Sequence, residues 1–239
     1  MKKQLIYIFL FISALVSAQS SFNKGVEFYE AENWQSAKAH LIQVKSSSND
    51  YLEAQEYLGD VAAHQKNWDK ALEYFKYLVE KQPNNAVYNF KYGGALGLKA
   101  LSISKMQAAF YISDIKYYLK KAAQLDTTHI ESRWALVELY MQLPSILGGS
   151  SKTSYKYANQ LQSISEVDGW LAKGYIAVEE SDFKSAETYY KNALKIGGSV
   201  TCYEKLIQLY QDKTKEHQKA KYLLEEAKEN HPQKDWSYL

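Results

Sequence analysis

Residues Leu52–Asn85 read LEAQEYLGDVAAHQKNWDKALEYFKYLVEKQPNN, a stretch of 34 residues. The apolar positions recur at helical spacing in two runs, so the stretch is expected to form two short amphipathic helices. A tight turn is expected at Lys66–Asn67, and Pro83 stops the second helix. Leu58 and Gly59 sit in the first helix; Ala71 and, four residues on, Phe75 sit in the second. A helix pair of this length cannot bury both apolar stripes by itself, so it has to stack on another pair. The residue choice fits that demand. Gly59 with Ala71, Gly25 with Ala37 and Gly174 with Ala186 are read as small because the two helices of a pair approach closely there. Phe75 and Tyr190 are read as fillers between neighbouring pairs.

The rest of the chain repeats the pattern. Asn33-Trp34-x-x-Ala37 returns 34 residues later as Asn67-Trp68-x-x-Ala71, and Ala186 and Ala193 return as Ala220 and Ala227 at the same spacing. Asp182-Phe183-x-x-Ala186 is the same turn again. Six repeats are expected. Repeat 1 covers Gln19–Asn49, repeat 2 is the opening stretch, repeat 5 covers Val167–Gly197 and repeat 6 covers Val200–Pro232. Repeats 3 and 4 diverge. In repeat 3 about ten extra residues intervene, read as lengthened helices over Ala86–Ser102 and Lys105–Leu125. Repeat 4 begins at Ile130 and breaks at Leu143-Pro144-Ser145-Ile146-Leu147-Gly148-Gly149, a loop because Pro144 disfavours helix before it and the glycines permit positive φ. Ser151 or Thr153 is expected to cap the helix that runs through Ile164. No segment reads as a linker, so residues 19–239 are taken as one all-α array. Three prolines and eleven glycines in 239 residues agree with an all-helical chain.

These features, Leu58-Gly59, Ala71-x3-Phe75 and Pro83 in register at a period of 34, resemble the tetratricopeptide repeat family. The resemblance is close in repeats 2 and 5, moderate in 1 and 6, and weak in 3 and 4. It implies a right-handed α-solenoid whose concave face, lined by the first helices, holds a peptide or a partner protein.

The N-terminus reads as an export signal covering residues 1–18. Lys2 and Lys3 precede an apolar run, Leu5–Val16, and Val16-Ser17-Ala18 is a small-residue site, so cleavage is expected between Ala18 and Gln19. Twelve helical residues rise about 18 Å against a hydrocarbon core of roughly 30 Å, which argues against an uncleaved span. The mature protein is therefore expected to be exported, to the periplasm or the medium, without a membrane span. Without Lys2 and Lys3 the 29 basic residues drop to parity with the 27 acidic ones. A neutral chain lacks the clustered cations that bind a phosphate backbone, so no nucleic acid partner is expected. Cys202, the only cysteine, cannot close an intramolecular disulfide and is read as a buried apolar residue of the last repeat, with an intermolecular disulfide as the alternative. Trp236 in the tail is placed over the last exposed helix face.

Carrying the family's groove positions onto this chain picks out Glu53, Glu56, Asp60 and His64 in repeat 2, Phe90 and Gly94 in repeat 3, Glu131, Trp134, Glu138 and Met141 in repeat 4, and Asp168, Leu171, Tyr175 and Glu179 in repeat 5. Phe22, Val26 and Tyr29 are the corresponding positions of repeat 1. The family's carboxylate-clamp subclass needs Lys, Arg and Asn at such positions, and here stand mainly acids and aromatics. The resemblance thus implies an acidic, aromatic-studded groove for a basic or neutral extended segment; an ordinary solvated helix face is the competing reading. Glu56, Asp60 and His64 also share a helix face at i, i+4, i+8, a spacing compatible with a divalent metal, but no second His or Cys joins them. The other histidines, His40, His129, His217 and His231, are read as scattered surface residues. Gly148-Gly149-Ser150-Ser151-Lys152 lacks the spacing of a phosphate loop, and no nucleophile or zinc motif is present. No catalytic residue, metal or cofactor is expected. The reading is a non-catalytic scaffold or adaptor of the bacterial envelope, or alternatively a structural subunit that uses its convex face or the 144–149 loop.

Overall fold

A computed structural model describes residues 21–239. The expected leader and its cut, with the first residues of repeat 1, lie outside the described residues. Among the described residues every regular element is helical. They are α1 (21–30), α2 (Trp34–Leu41), α3 (Tyr51–His64), α4 (Trp68–Lys81), α5 (Ala86–Leu101), α6 (Lys105–Ala108), α7 (Ile112–Leu125), α8 (Ile130–Gln142), α9 (Ser151–Ile164), α10 (Glu166–Glu179), α11 (Phe183–Gly197), α12 (Val200–Gln208) and α13 (His217–Asn230). Contacts group the chain into two compact units, one ending at Leu125 and the other running Asp126–Leu239. In the first, α3 packs on α4 and α5 on α7, with α2 on α3 and α4 on α5 joining successive hairpins. In the second, α8 packs on α9, α10 on α11 and α12 on α13; α9 meets α10, α11 meets α12, and the first helices α8 and α10 touch directly.

Four of the hairpins turn in one way. Glu32, Lys66, Ser181 and Lys215 all take positive φ, between 56° and 62°, at the last turn residue before the second helix's N-cap. The next backbone N–H then closes on a carbonyl of the first helix at 2.8 Å, as in Asn67 to Ala62 and Asp182 to Ala177. Asn33, Asn67 and Asp182 go on to cap the second helix, their side-chain oxygens accepting from the N–H of Ser36, Lys70 and Ser185. A cap of this kind contributes about 1 kcal/mol. This turn is the physical content of the Asn/Asp–aromatic–x–x–Ala signature.

Close approach within a hairpin is confirmed, with a changed partner. A Cβ on Gly59 would lie 2.4 Å from Phe75, on Gly174 2.2 Å from Tyr190, and on Gly25 2.6 Å from Leu41. Each glycine faces the residue four past the conserved alanine, not the alanine. The large side chain of the second helix leans back over the first helix's glycine because helical side chains point toward the N-terminus. Ala37, Ala71 and Ala186 are themselves fully buried.

Repeat 3 has the expected lengthened helices, but the second is broken: a 3₁₀ turn, Ala109–Tyr111, separates α6 from α7. In repeat 4 the 144–149 loop holds a short 3₁₀ turn, Ser145–Leu147, and Gly148 takes φ 82°. The cap of α9 is Ser150, whose hydroxyl accepts from Thr153 N–H, and not Ser151 or Thr153. Ser150 is the residue with extended backbone, so its hydroxyl alone faces the free N–H groups. Beyond α12 the helix widens into a π segment, Leu209–Lys213, which the repeat pattern did not foretell. Cys202 is fully buried, as expected. Trp236 is also buried, packed with Cys202, Leu206 and Ala227, and Gln211 holds Leu239 O at 2.7 Å, so the tail does close the last helices.

Candidate functional site

Three first helices of the N-terminal unit, α1, α3 and α5, bring the repeat 2 candidates together with a residue the sequence reading passed over. Lys91 Nζ on α5 stands 2.7 Å from Glu56 Oε1 and 2.5 Å from Asp60 Oδ2 on α3. The three side chains are only 20%, 23% and 19% exposed, so little water reaches them. Burial raises the pKa of Asp60, and Lys91 offsets this only in part. Burial also works against the Lys91 ammonium, but Asp60 and Glu56 together outweigh it, and Lys91 is held protonated. Glu56 and Asp60 in the acidic face expected for repeat 2 are thus partners of one lysine, because α5 places that side chain between them. A cue was present in sequence, since Lys91 lies about one repeat beyond both.

Around this triad lie aromatic rings. Tyr29 on α1 and Tyr57 on α3 meet edge to face with centroids 4.8 Å apart. Burial raises both phenol pKa values, with Asp60 adding to Tyr29 and Glu53 to Tyr57, so both hydroxyls remain donors. His64 stacks on Trp34 at 4.2 Å and 10°. Among the described residues no group of three or more His, Cys, Asp or Glu is placed to hold a metal. Glu53 is exposed at the edge of this face.

The same face of α5 carries an open strip. Val87, Lys91, Gly94, Leu98 and Leu101 follow at intervals of four and three, one stripe of a helix. Val87, Leu98 and Leu101 are exposed, and a Cβ added to Gly94 or Gly97 would meet nothing within 4 Å. These two glycines contrast with Gly59 and Gly174: they admit no neighbour from the chain itself. Phe90, the other repeat 3 candidate, is half-buried one turn before Gly94.

The C-terminal unit treats its candidates differently. Trp134 on α8 donates its indole N–H to Asp168 Oδ1 at 2.8 Å, while Asp168 Oδ2 accepts from Ser165 Oγ at the N-cap of α10. This pair ties two first helices together. Leu171 is buried in the core cluster beside Tyr203 and Leu206 and offers no side-chain surface, a correction to its expected place in a groove. Met141 packs against Val137 and Ile176. Glu131 is exposed and lies beside His129, whose Nδ1 accepts from Ser132 N–H and caps α8. His231 likewise has work to do, its Nε2 standing 2.7 Å from Gly198 O. Glu138 reaches water, yet enough protein surrounds its carboxyl that burial raises its pKa against the pull of Lys205. Tyr175, half-buried, has its phenol pKa raised first by burial and then by Glu179 and Glu138. Glu138, Glu179 and Tyr175 thus share one electrostatic neighbourhood on α8 and α10.

Residues 22–86 match the tetratricopeptide repeat family. No curated protein sequence matches the chain. Among solved structures, a thermophilic tetratricopeptide repeat protein from Thermus thermophilus aligns with TM-score 0.64 at 15% identity, over 81% of this chain and 97% of its own. PilF of Pseudomonas aeruginosa aligns with TM-score 0.59 at 18% identity, over 90% and 92%. YrrB, described as a tetratricopeptide repeat protein with an unusual peptide-binding site, aligns with TM-score 0.51 at 12% identity, over 76% and 87%. At these identities the likeness is one of fold.

Proposed function

Taking as premise that this chain is a tetratricopeptide repeat protein, we propose that it is a scaffold that holds an extended segment of a partner protein across α3 and α5. The observation that carries this is the strip on α5: a lysine already fixed by two carboxylates, followed by glycine-floored, water-exposed apolar surface. Glycine without a neighbour lets another backbone approach closely. The N–H groups of such a segment meet Glu56 and Asp60, its carbonyls meet Lys91 and the tyrosine hydroxyls, and its apolar side chains lie on Val87 and Leu98. The triad carries one net negative charge, so a neutral or basic segment is favoured over an acidic one. That YrrB is described as holding a peptide-binding site supports the same use of this fold.

Filling the floor tests this. Gly94→Leu adds a side chain where the fold leaves open space, so the protein stays folded. Peptides selected on the wild-type protein from a random library are expected to lose about tenfold in affinity for the variant, the cost of one blocked contact of about 1.4 kcal/mol. Unchanged affinity for Gly94→Leu would overturn the proposal.

Export belongs to the same reading and is supported by the basic and apolar N-terminal sequence. Sequencing the N-terminus of the protein recovered from envelope and medium fractions tests it, with Gln19 as the expected first residue. A structural role in an envelope assembly is favoured by one feature, the 144–149 loop, where Ile146 is 92% exposed. Loss of assembly in Ile146→Ser with peptide binding intact would select that role over the groove.

A further inference from the structure

The connection between α5 and α7 displays apolar side chains that neither the core nor the strip on α5 uses. Met106 and Phe110 are each 81% exposed and stand one helical turn apart, on a segment too short to have a buried side of its own. The exposed ring of Tyr117 follows on α7. Side chains of this size are seldom left in water together without a function. The sequence around them is basic. From Leu98 to Lys121 the chain carries five lysines against a single acid, Asp114, in a protein otherwise close to neutral. Lys99 is engaged by Asp69 at 2.6 Å, Lys121 stands over the Tyr117 ring at 5.8 Å, and Lys105 is exposed beside Met106.

We infer that this tip docks on the surface of an anionic phospholipid bilayer. Met106 and Phe110 enter the boundary between headgroups and acyl chains, Tyr117 sits at headgroup level, exposed Lys105 meets a lipid phosphate, and the surplus of lysines in this stretch draws the tip to an anionic surface. Charge complementarity selects this occupant. A second copy of the chain related by two-fold symmetry would set the same lysine-rich strip against itself, where like charges repel. Among the described residues no helix is long and apolar enough to cross a membrane, so the contact is peripheral. It uses a different surface from the peptide strip and does not depend on it.

The test is sedimentation of the mature protein with vesicles of 7:3 phosphatidylcholine:phosphatidylglycerol and of phosphatidylcholine alone. Binding is expected to the anionic vesicles only, to fall with added salt, and to drop at least about tenfold in Met106→Ser/Phe110→Ser, from the lost apolar burial. Gly94→Leu should bind vesicles as wild type does, which separates this inference from the proposed peptide site. In Phe110→Trp, brominated anionic lipid should quench more fluorescence than in wild type. Absence of binding to anionic vesicles, equal binding by the double serine variant, or a concentration-dependent dimer that the same variant abolishes would each overturn the inference, the last assigning the tip to a second copy.

Discussion

The hairpins α3/α4 and α10/α11 on one side, and α5/α7 and α8/α9 on the other, solve the same problem by different means. In the first pair a positive-φ residue and a capping Asn or Asp turn the chain in the fewest residues, and a glycine takes an aromatic ring of the partner helix against its Cα. In the second pair the turn is longer and the fit is looser or rebuilt. A Cβ on Gly93 would lie 3.1 Å from Tyr118, a tight contact but less severe than those at Gly59 and Gly174. Between α8 and α9 the closure is made by backbone, with Ser150 N–H donating to Tyr140 O, and by a buried hydroxyl, Ser154 Oγ donating to Val137 O at 3.0 Å. The regular hairpins are spent on stacking; the divergent ones leave surface over. The strip on α5, the apolar tip and the exposed loop all belong to the divergent pair.

Glycine substitutions are the strongest way to test that contrast. Gly149→Ala drives a Cβ to 1.7 Å from Leu143 O, a backbone atom that cannot move aside, and is expected to cost about 3 kcal/mol. Gly174→Ala meets the buried ring of Tyr190, which can tilt, and should cost about 2 kcal/mol. Urea unfolding at neutral pH measures both; equal, near-zero effects would mean that neither hairpin depends on its close approach.

Acid titration probes the junction of the two regular hairpins α10/α11 and α12/α13. Glu187 on α11 accepts from Tyr210 at 2.7 Å and pairs with Lys191 at 2.7 Å and Lys219 at 3.4 Å. Its hydrogen bond to Lys191 leads the causes that hold its pKa down at about 2. A depressed folded value means stability that is complete above the ordinary carboxylate range and lost as pH falls from 4.5 toward 2. Glu187→Gln should flatten the melting temperature over that window, and an unchanged acid slope would count against the junction.

Two smaller effects carry the opposite sign. Lys66→Gly relieves a side chain held at φ 56° and should stabilise by about 1 kcal/mol, a gain confined to the hairpins with this turn. Gly94→Ala, in open space within a helix, should stabilise by about 0.5–1 kcal/mol from the unfolded state's lost freedom. A destabilised Gly94→Ala would show that the strip is closed by the chain's own packing.

Much of this was legible in the residues because a repeat writes its contacts twice. The Asn33 and Asn67 turns, the close approach of helices at Gly59 and Gly174 and the burial of Cys202 and Trp236 follow from spacing, since helix period and local hydrogen bonds act over a few residues. The rings that meet those glycines are, on the sequence reading, expected between repeats instead. The candidate site was legible only as a list of positions. Which first-helix side chains remain available depends on what the neighbouring repeat puts beside them. Lys91 bridges Glu56 and Asp60 and cancels one of their two charges, Asp168 occupies Trp134, and the core takes Leu171. The 34-residue period of Leu52–Asn85 thus determined an all-helical stack of hairpins, through local apolar spacing and turn chemistry. Tertiary structure alone decided which faces of that stack are used up and which stay open, because partnership between charges and rings is a matter of distance across helices.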